Sequence, residues 1–90
     1  MVTIRITTQL RSLSGNAAEV KVEGATVGEA LHALEAAHPG FGERLFDESG
    51  ALRRFVNVFC DDEDIRFLQG VDTTLMAGQV LSIVPAVAGG

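Results

Sequence analysis

The apolar residues of this chain change their spacing part-way along it, and that change restricts the folds it can adopt. Val2, Ile4 and Ile6 alternate with Thr3, Arg5 and Thr7, and the alternation runs on to Leu10. A period of two is that of a half-buried strand. Ser14-Gly15-Asn16 follows, residues that tolerate positive φ or bond their own backbone, as a turn requires. Glu19-Val20-Lys21-Val22-Glu23 alternates again, so the first two strands read as an antiparallel hairpin. From Thr26 the period lengthens. Thr26 and Glu29 have the spacing of a capping box, and Val27, Ala30, Leu31 and Leu34 recur at helical offsets. Glu29, His32 and Glu35 fall off that stripe, and Pro39-Gly40 stops the helix near His38.

Beyond the helix, Phe41–Phe46 has room for one short helical turn, and Asp47-Glu48-Ser49-Gly50 reads as a surface loop. Phe55–Cys60 is rich in aromatic and β-branched residues and reads as a strand. Asp61-Asp62 turns it into a shorter strand around Asp64–Phe67. Gln69–Gly78 is expected as a connection with a single helical turn near Thr74. Val80–Val84 forms the last strand, ended by Pro85. Two strands, a helix and then more strands describe an α+β layer around one core. Residues 1–85 form that domain and residues 86–90 a flexible C-terminal tail. Val2, Ile4, Ile6, Val20, Val22, Val56 and Val58 are expected to pack on Val27, Leu31 and Leu34. Register then turns Phe55 and Phe59 to the other face. An aromatic there is either capped by a loop or part of a partner-docking patch.

Composition narrows the classes of function. Ninety residues fit one domain. The apolar runs fall far short of a membrane span, and no basic, apolar and cleavage-site sequence resembling a signal peptide stands before Val2. A single cysteine, Cys60, forms neither an internal disulfide nor a cysteine-based metal site. A cytoplasmic protein is the simplest expectation. Seven basic against twelve acidic residues leave a net charge of −5, the wrong sign for neutralising phosphates, so no nucleic-acid partner is expected. The charge suits a partner with a basic surface, and equally a small domain that stays in solution.

Conventional catalytic groups are scarce. No phosphate-cradling glycine loop joins a strand to a helix, and no histidine pair has metal-ligand spacing. Cys60, at a strand end, reads as a small apolar residue, since neither a base nor an anion hole stands near it in sequence. His38 falls at the helix C-terminus, where a cation interacts favourably with the helix dipole, and His32 faces solvent. Asp61-Asp62-Glu63-Asp64 lacks the spaced ligands of a calcium loop and reads as a charged turn that blunts a sheet edge. No metal site and no catalytic residue are expected.

The unusual feature is Pro85-Ala86-Val87-Ala88-Gly89-Gly90. At ordinary glycine usage a terminal pair of glycines arises by chance roughly once in 200 chains. Five extended residues reach about 17 Å, enough to enter another protein's cleft. Glycine has no Cβ, so Gly89 and Gly90 suit a narrow channel and leave a carboxylate as the functional group at the tip. A frayed terminus would show the same composition.

That ending resembles the C-termini of the ThiS/MoaD sulfur carriers, and the order of elements is similar to their β-grasp, ubiquitin-like fold along nearly the whole chain. Arg54-Phe55-Val56-Asn57-Val58 and Asp62-Glu63-Asp64-Ile65-Arg66-Phe67, with the full ending, resemble the CysO-type carriers of cysteine biosynthesis. The resemblance implies a mixed sheet of four to five strands on one main helix. It implies that an E1-like enzyme, using Mg-ATP, adenylates Gly90. A sulfur donor or sulfurtransferase then converts it to a thiocarboxylate. In CysO-type pathways that sulfur attacks an activated serine-derived acceptor on a PLP-dependent cysteine synthase, and a metalloprotease releases the cysteine. ATP and PLP belong to the partners, and this chain itself binds no cofactor. Val87, Ala88 and Gly89 would give access to the partner, and Phe55 and Phe59 are candidates for its docking surface. Molybdopterin, thiamine or natural-product pathways are alternative destinations. A ubiquitin-like modifier joined to lysines through Gly90 and a plain interaction module are rival functions. A β-grasp ferredoxin is excluded, because one cysteine cannot hold a cluster that needs four.

Overall fold

In a computed structural model, residues 1–7, 10–11, 14–53 and 56–85 are described. Phe55, Val87, Ala88, Gly89 and Gly90 lie outside the described residues, as does the tail expected at 86–90. Five strands form one mixed sheet in the order β2-β1-β5-β3-β4: β1 Val2–Ile6, β2 Glu19–Val22, β3 Val56–Cys60, β4 Glu63–Asp64 and β5 Val80–Pro85. β1 runs parallel to β5, and the other pairs are antiparallel. α1 (Val27–Ala37) and the short α2 (Phe41–Leu45) complete a β-grasp fold. The strand–strand–helix–strand–strand–strand order is the one the periodicity implies.

The core follows from that layering. Val2, Ile4, Ile6, Val22, Val56 and Val58 are buried, and they share one cluster with Val27, Leu31 and Leu34. Val20, on β2 at the sheet edge, is half-buried and packs against the cluster. Leu81 and Ile83 of β5 are fully buried at the sheet centre, and Phe41, Leu45 and Ile65 join from outside the strands. Burying a side chain of this size stabilises by about 1.5–3 kcal/mol, so β5 is tightly anchored on its inner face.

Local chemistry sets the element ends. Thr26 Oγ1 accepts from Glu29 N (3.2 Å), and Glu29 Oε1 reaches back to accept from Ala25 N (3.2 Å), one residue before the cap, a variant of the capping box. His38 is the C-cap, its N–H donating to Leu34 O. Glu35 reaches past Pro39 and accepts from both Gly40 N and Gly42 N at 3.0 Å, which ties α2 to the end of α1. Gly40 turns the chain between them at φ 115°, a conformation glycine alone adopts freely. A Cβ on Gly24 would lie 2.7 Å from Ala30 N, so only glycine lets the β2–α1 link pass that close to the helix.

Three expectations need correction. β1 stops at Ile6 rather than Leu10. Its partner β2 begins only at Glu19, and among the described residues the last cross-strand bond there is Ile6 N to Ala18 O. Leu10 is buried, but its N–H donates back to Thr7 O in a turn. The strand expected at Asp64–Phe67 is β4 at Glu63–Asp64, followed by a 3₁₀ turn at Ile65–Phe67. Asp64 Oδ1 accepts from Arg66 N (2.9 Å) and curls the chain away from β3. The helical turn expected near Thr74 lies at Gly70–Asp72. Thr74 instead bridges to Thr26, where Val27 N donates to Thr73 O and Leu75 N to Ala25 O. Those bonds clamp the start of α1.

Candidate functional site

The proposed tail leaves the fold at Pro85, and the geometry of that point comes from β5. β5 is the central strand. On one side Ile83 pairs with Ile6 of β1, and on the other the pairing continues to Pro85 opposite Val56 of β3. Hydrogen bonding from two directions, with Leu81 and Ile83 buried beneath, fixes the root of the tail rigidly. Pro85 has no N–H to lose and so ends the strand without a missing ladder bond.

Arginines secure both neighbours of that root. Arg11 Nε donates to Ile6 O (3.1 Å), where β1 ends, and Arg66 Nη2 donates to Val56 O (3.0 Å), where β3 begins. Arg53, three residues before Val56, donates through Nε to Glu43 O (3.0 Å). Carbonyls freed by the end of a ladder are thereby satisfied by charged donors. Thr7 Oγ1, one residue beyond Ile6, is buried without a hydrogen-bond partner among the described residues. Nothing in the sequence pattern marks Arg11 or Arg66 for these positions, because each reaches a backbone carbonyl that no side-chain spacing encodes.

The outer face of the sheet carries Phe59, which turns away from the core. It is half-buried in a row with Ser82 of β5 and Asp64 of β4. Asn57 and Val84 form the next row toward the root, with Val84 exposed. Phe59 and the exposed Val84 therefore share the outer face of the sheet.

The remaining candidates resolve into structural roles. Cys60 is buried in the core, and burial, followed by the negative charges of Asp61 and Glu63, pushes its thiol pKa up. A thiol held protonated is a poor nucleophile. In the acidic turn, Asp61 sits at φ 56°, accepts from Val80 N (3.3 Å) and from Gln79 Nε2 (3.2 Å), and so closes the far end of β5. Six residues of β5 separate that turn from the root, about 17 Å at the usual strand rise. Among the described residues no three His, Cys, Asp or Glu side chains converge to hold a metal. His32 is exposed and stacks on Phe46, with ring centroids 5.4 Å apart and planes 7° from parallel. Among the described residues no helix is long and apolar enough to cross a membrane.

A family model described as the ThiS family matches residues 4–90. This chain belongs to the ThiS family. It is 45% identical to the sulfur carrier protein CysO of Mycobacterium tuberculosis, over 99% of this chain and 98% of that protein. A chain in the solved BexX/CysO complex of Amycolatopsis orientalis superimposes with a TM-score of 0.92 at 43% identity, covering all of both chains. Small archaeal modifier protein 3 of Haloferax volcanii is 40% identical over 76% of this chain and 73% of its own length.

Proposed function

We propose that this ThiS-family chain is a sulfur carrier protein whose working group is the carboxylate of Gly90. A carboxylate is a poor acyl donor. Its oxygen attacks the α-phosphate of ATP on an E1-like partner, giving an acyl-adenylate and releasing pyrophosphate. Sulfide then attacks the carbonyl carbon and expels AMP, which leaves a thiocarboxylate. A persulfide donor gives an acyl disulfide instead, and a second thiol of the donor releases the thiocarboxylate from it by forming a disulfide. The thiocarboxylate sulfur is the better nucleophile, and it attacks an activated serine-derived acceptor in cysteine biosynthesis. The ATP, its magnesium and the PLP of the acceptor enzyme belong to the partners. The chain is a substrate in each step and turns nothing over itself, and the cytoplasm is the natural compartment for such chemistry.

The observation that carries this reading is the 45% identity spread over nearly the whole length of a protein named as a sulfur carrier. The family match through residue 90 includes both glycines. Phe59 and Val84 share the outer face, and Val84 stands one residue before Pro85, which supports a partner that docks there while it draws in the tail. Phe55 is proposed for the same surface on sequence position alone.

The likeness to an archaeal modifier protein favours a second reading, in which a lysine amine attacks the activated Gly90. Intact mass and C-terminal peptide sequencing of the chain recovered from its native host separate the two. Replacement of one oxygen by sulfur, localised to Gly90, is the expected result, and an added cysteine there identifies the pathway. A pool holding only unmodified chain and lysine-linked conjugates would overturn the carrier reading.

A further inference from the structure

Activation of Gly90 makes an electrophile that the chain's own amines can capture. An unprotonated amine adds to the acyl-adenylate carbonyl, AMP leaves, the nitrogen loses its proton and an amide remains. A chain closed in this way is spent, because neither sulfide nor a partner's lysine can use that carbonyl. The positions of the amines therefore bear on function. Lys21 is the one lysine of the chain, and the other six basic residues are arginines. Its amines are Lys21 Nζ and the amino group of Met1.

Both stand at the end of the sheet remote from Pro85. Lys21 pairs with Thr3, and Thr3 with Val80, the first residue of β5. Lys21 therefore lies about 17 Å along the sheet and about 10 Å across it from Pro85, about 19 Å in all. Met1 lies one strand across and about 23 Å along, with its amino group 4.0 Å from Glu23 Oε1. Five extended residues beyond Pro85 reach about 17 Å. Lys21 Nζ is met only by a tail doubled back along the sheet at full stretch, with the lysine side chain extended toward it. The effective concentration of a tethered group falls toward zero as the span approaches the length of the tether.

The cations close to Pro85 are of the other kind. Arg66 Nη2 bonds Val56 O, and Val56 is paired with Pro85. Arg11 Nε bonds Ile6 O, and Ile6 is paired with Ile83, two residues before Pro85. Both lie well within the reach of the tail. A lysine ammonium also donates to a carbonyl, but it shares its site with a nucleophilic amine, whereas a guanidinium stays protonated and does not attack. We propose that this placement protects the activated Gly90 from capture by its own chain: the amines stand at or beyond the limit of the tail, and the cations near its root are guanidiniums. Arg11 and Arg66 thereby reserve the carbonyl for a nucleophile that a partner brings. The inference rests on the activation of Gly90, which both readings of the function share, and not on which nucleophile follows.

The test uses the full chain prepared with Gly90 as a mercaptoethanesulfonate thioester, which needs no partner enzyme. The thioester is held dilute at mildly alkaline pH and followed by intact mass and peptide mapping. Capture gives an amide lighter than the hydrolysed acid by one water. The native chain should yield the acid. Arg66→Lys keeps the charge and adds an amine beside the root, and Val84→Lys adds one at an exposed position one residue before Pro85. Each should close onto its new lysine at least about tenfold faster than the native chain closes anywhere. Val84→Arg should behave as the native chain does. Closure of the native chain on Lys21 or Met1 as fast as in Val84→Lys would overturn the proposal. So would the absence of closure in both lysine variants while each keeps the native amide spectrum. A Gly90 that carries nothing in chain from the native host would instead remove the activation itself and leave the thioester result as it stands.

Discussion

Cys60 is the chain's one thiol, and its surroundings decide that it packs rather than reacts. Burial raises its pKa, so the folded state holds the proton to higher pH than the unfolded state does. The stability this contributes is complete below the ordinary thiol pKa of about 8.5 and is lost as pH rises through the raised folded value. Urea midpoints measured from pH 7 to 10 should therefore show the native chain's advantage over Cys60→Ala shrinking at the alkaline end. Sulfur loading of Cys60→Ala should match the native chain, and lost loading in a variant that folds would place the thiol in the chemistry. Asp47 shows the opposite shift for an equally local reason. The hydrogen bond from the Ser49 hydroxyl, with those from the Ser49 and Ala51 amides, holds its carboxyl below the usual range. It organises the loop whose Gly50, Ala51 and Leu52 line a cleft of about 520 Å³ beside Val56 and Val58 of β3. The sequence marks that loop by composition, while the hub on Asp47 is visible only in three dimensions.

α1 was legible because every local signal agreed: a cap at Thr26, an apolar stripe, a stop at Pro39-Gly40. Removing the cap acceptor in Thr26→Ala should cost about 1 kcal/mol, read as a lower urea midpoint at unchanged slope. Leu31→Ala should cost more, about 2–5 kcal/mol, because Leu31 is fully buried and its removal leaves a cavity. Equal losses in the two would mean that the helix is held by its end rather than by its face. The strands were legible as strands, but their ends were not. Alternation continues past Ile6 in the sequence, yet β2, its antiparallel partner, starts at Glu19, and the pairing with β5 reaches only Ile6 opposite Ile83. At Asp64–Phe67 a side chain bonding the backbone two residues on outcompeted the ladder. The arginine bonds at Ile6 and Val56 and the cleft beside β3 were not legible at all. Each depends on which strands become neighbours, and that is fixed by the whole sheet rather than by any segment. Of the candidate site, the outer-face position of Phe59 followed from alternation alone, while Gly89 and Gly90 lie outside the described residues.

At the scale of the molecule, the sheet order places the root of the tail at its most constrained point. The first and last strands meet at the centre, so β5 is held between β1 and β3. In a carrier that geometry fixes how far the C-terminus extends from a docked domain. If a partner grips the outer face around Phe59 and Val84 while acting on Gly90, the five residues after Pro85 set the distance between grip and chemistry. One residue inserted between Pro85 and Ala86 lengthens an extended tail by about 3.3–3.6 Å. A displacement of even about 1 Å can slow a positioned reaction strongly. The insertion lies beyond β5 and touches none of the buried core, so the urea midpoint should stay within error of the native value. Loading with sulfur by the native activating enzyme should fall by at least about tenfold, with a one-residue deletion falling similarly. Insertion of one, two and three glycines with undiminished loading would show that the partner holds the tail alone and that the outer face plays no part in positioning it.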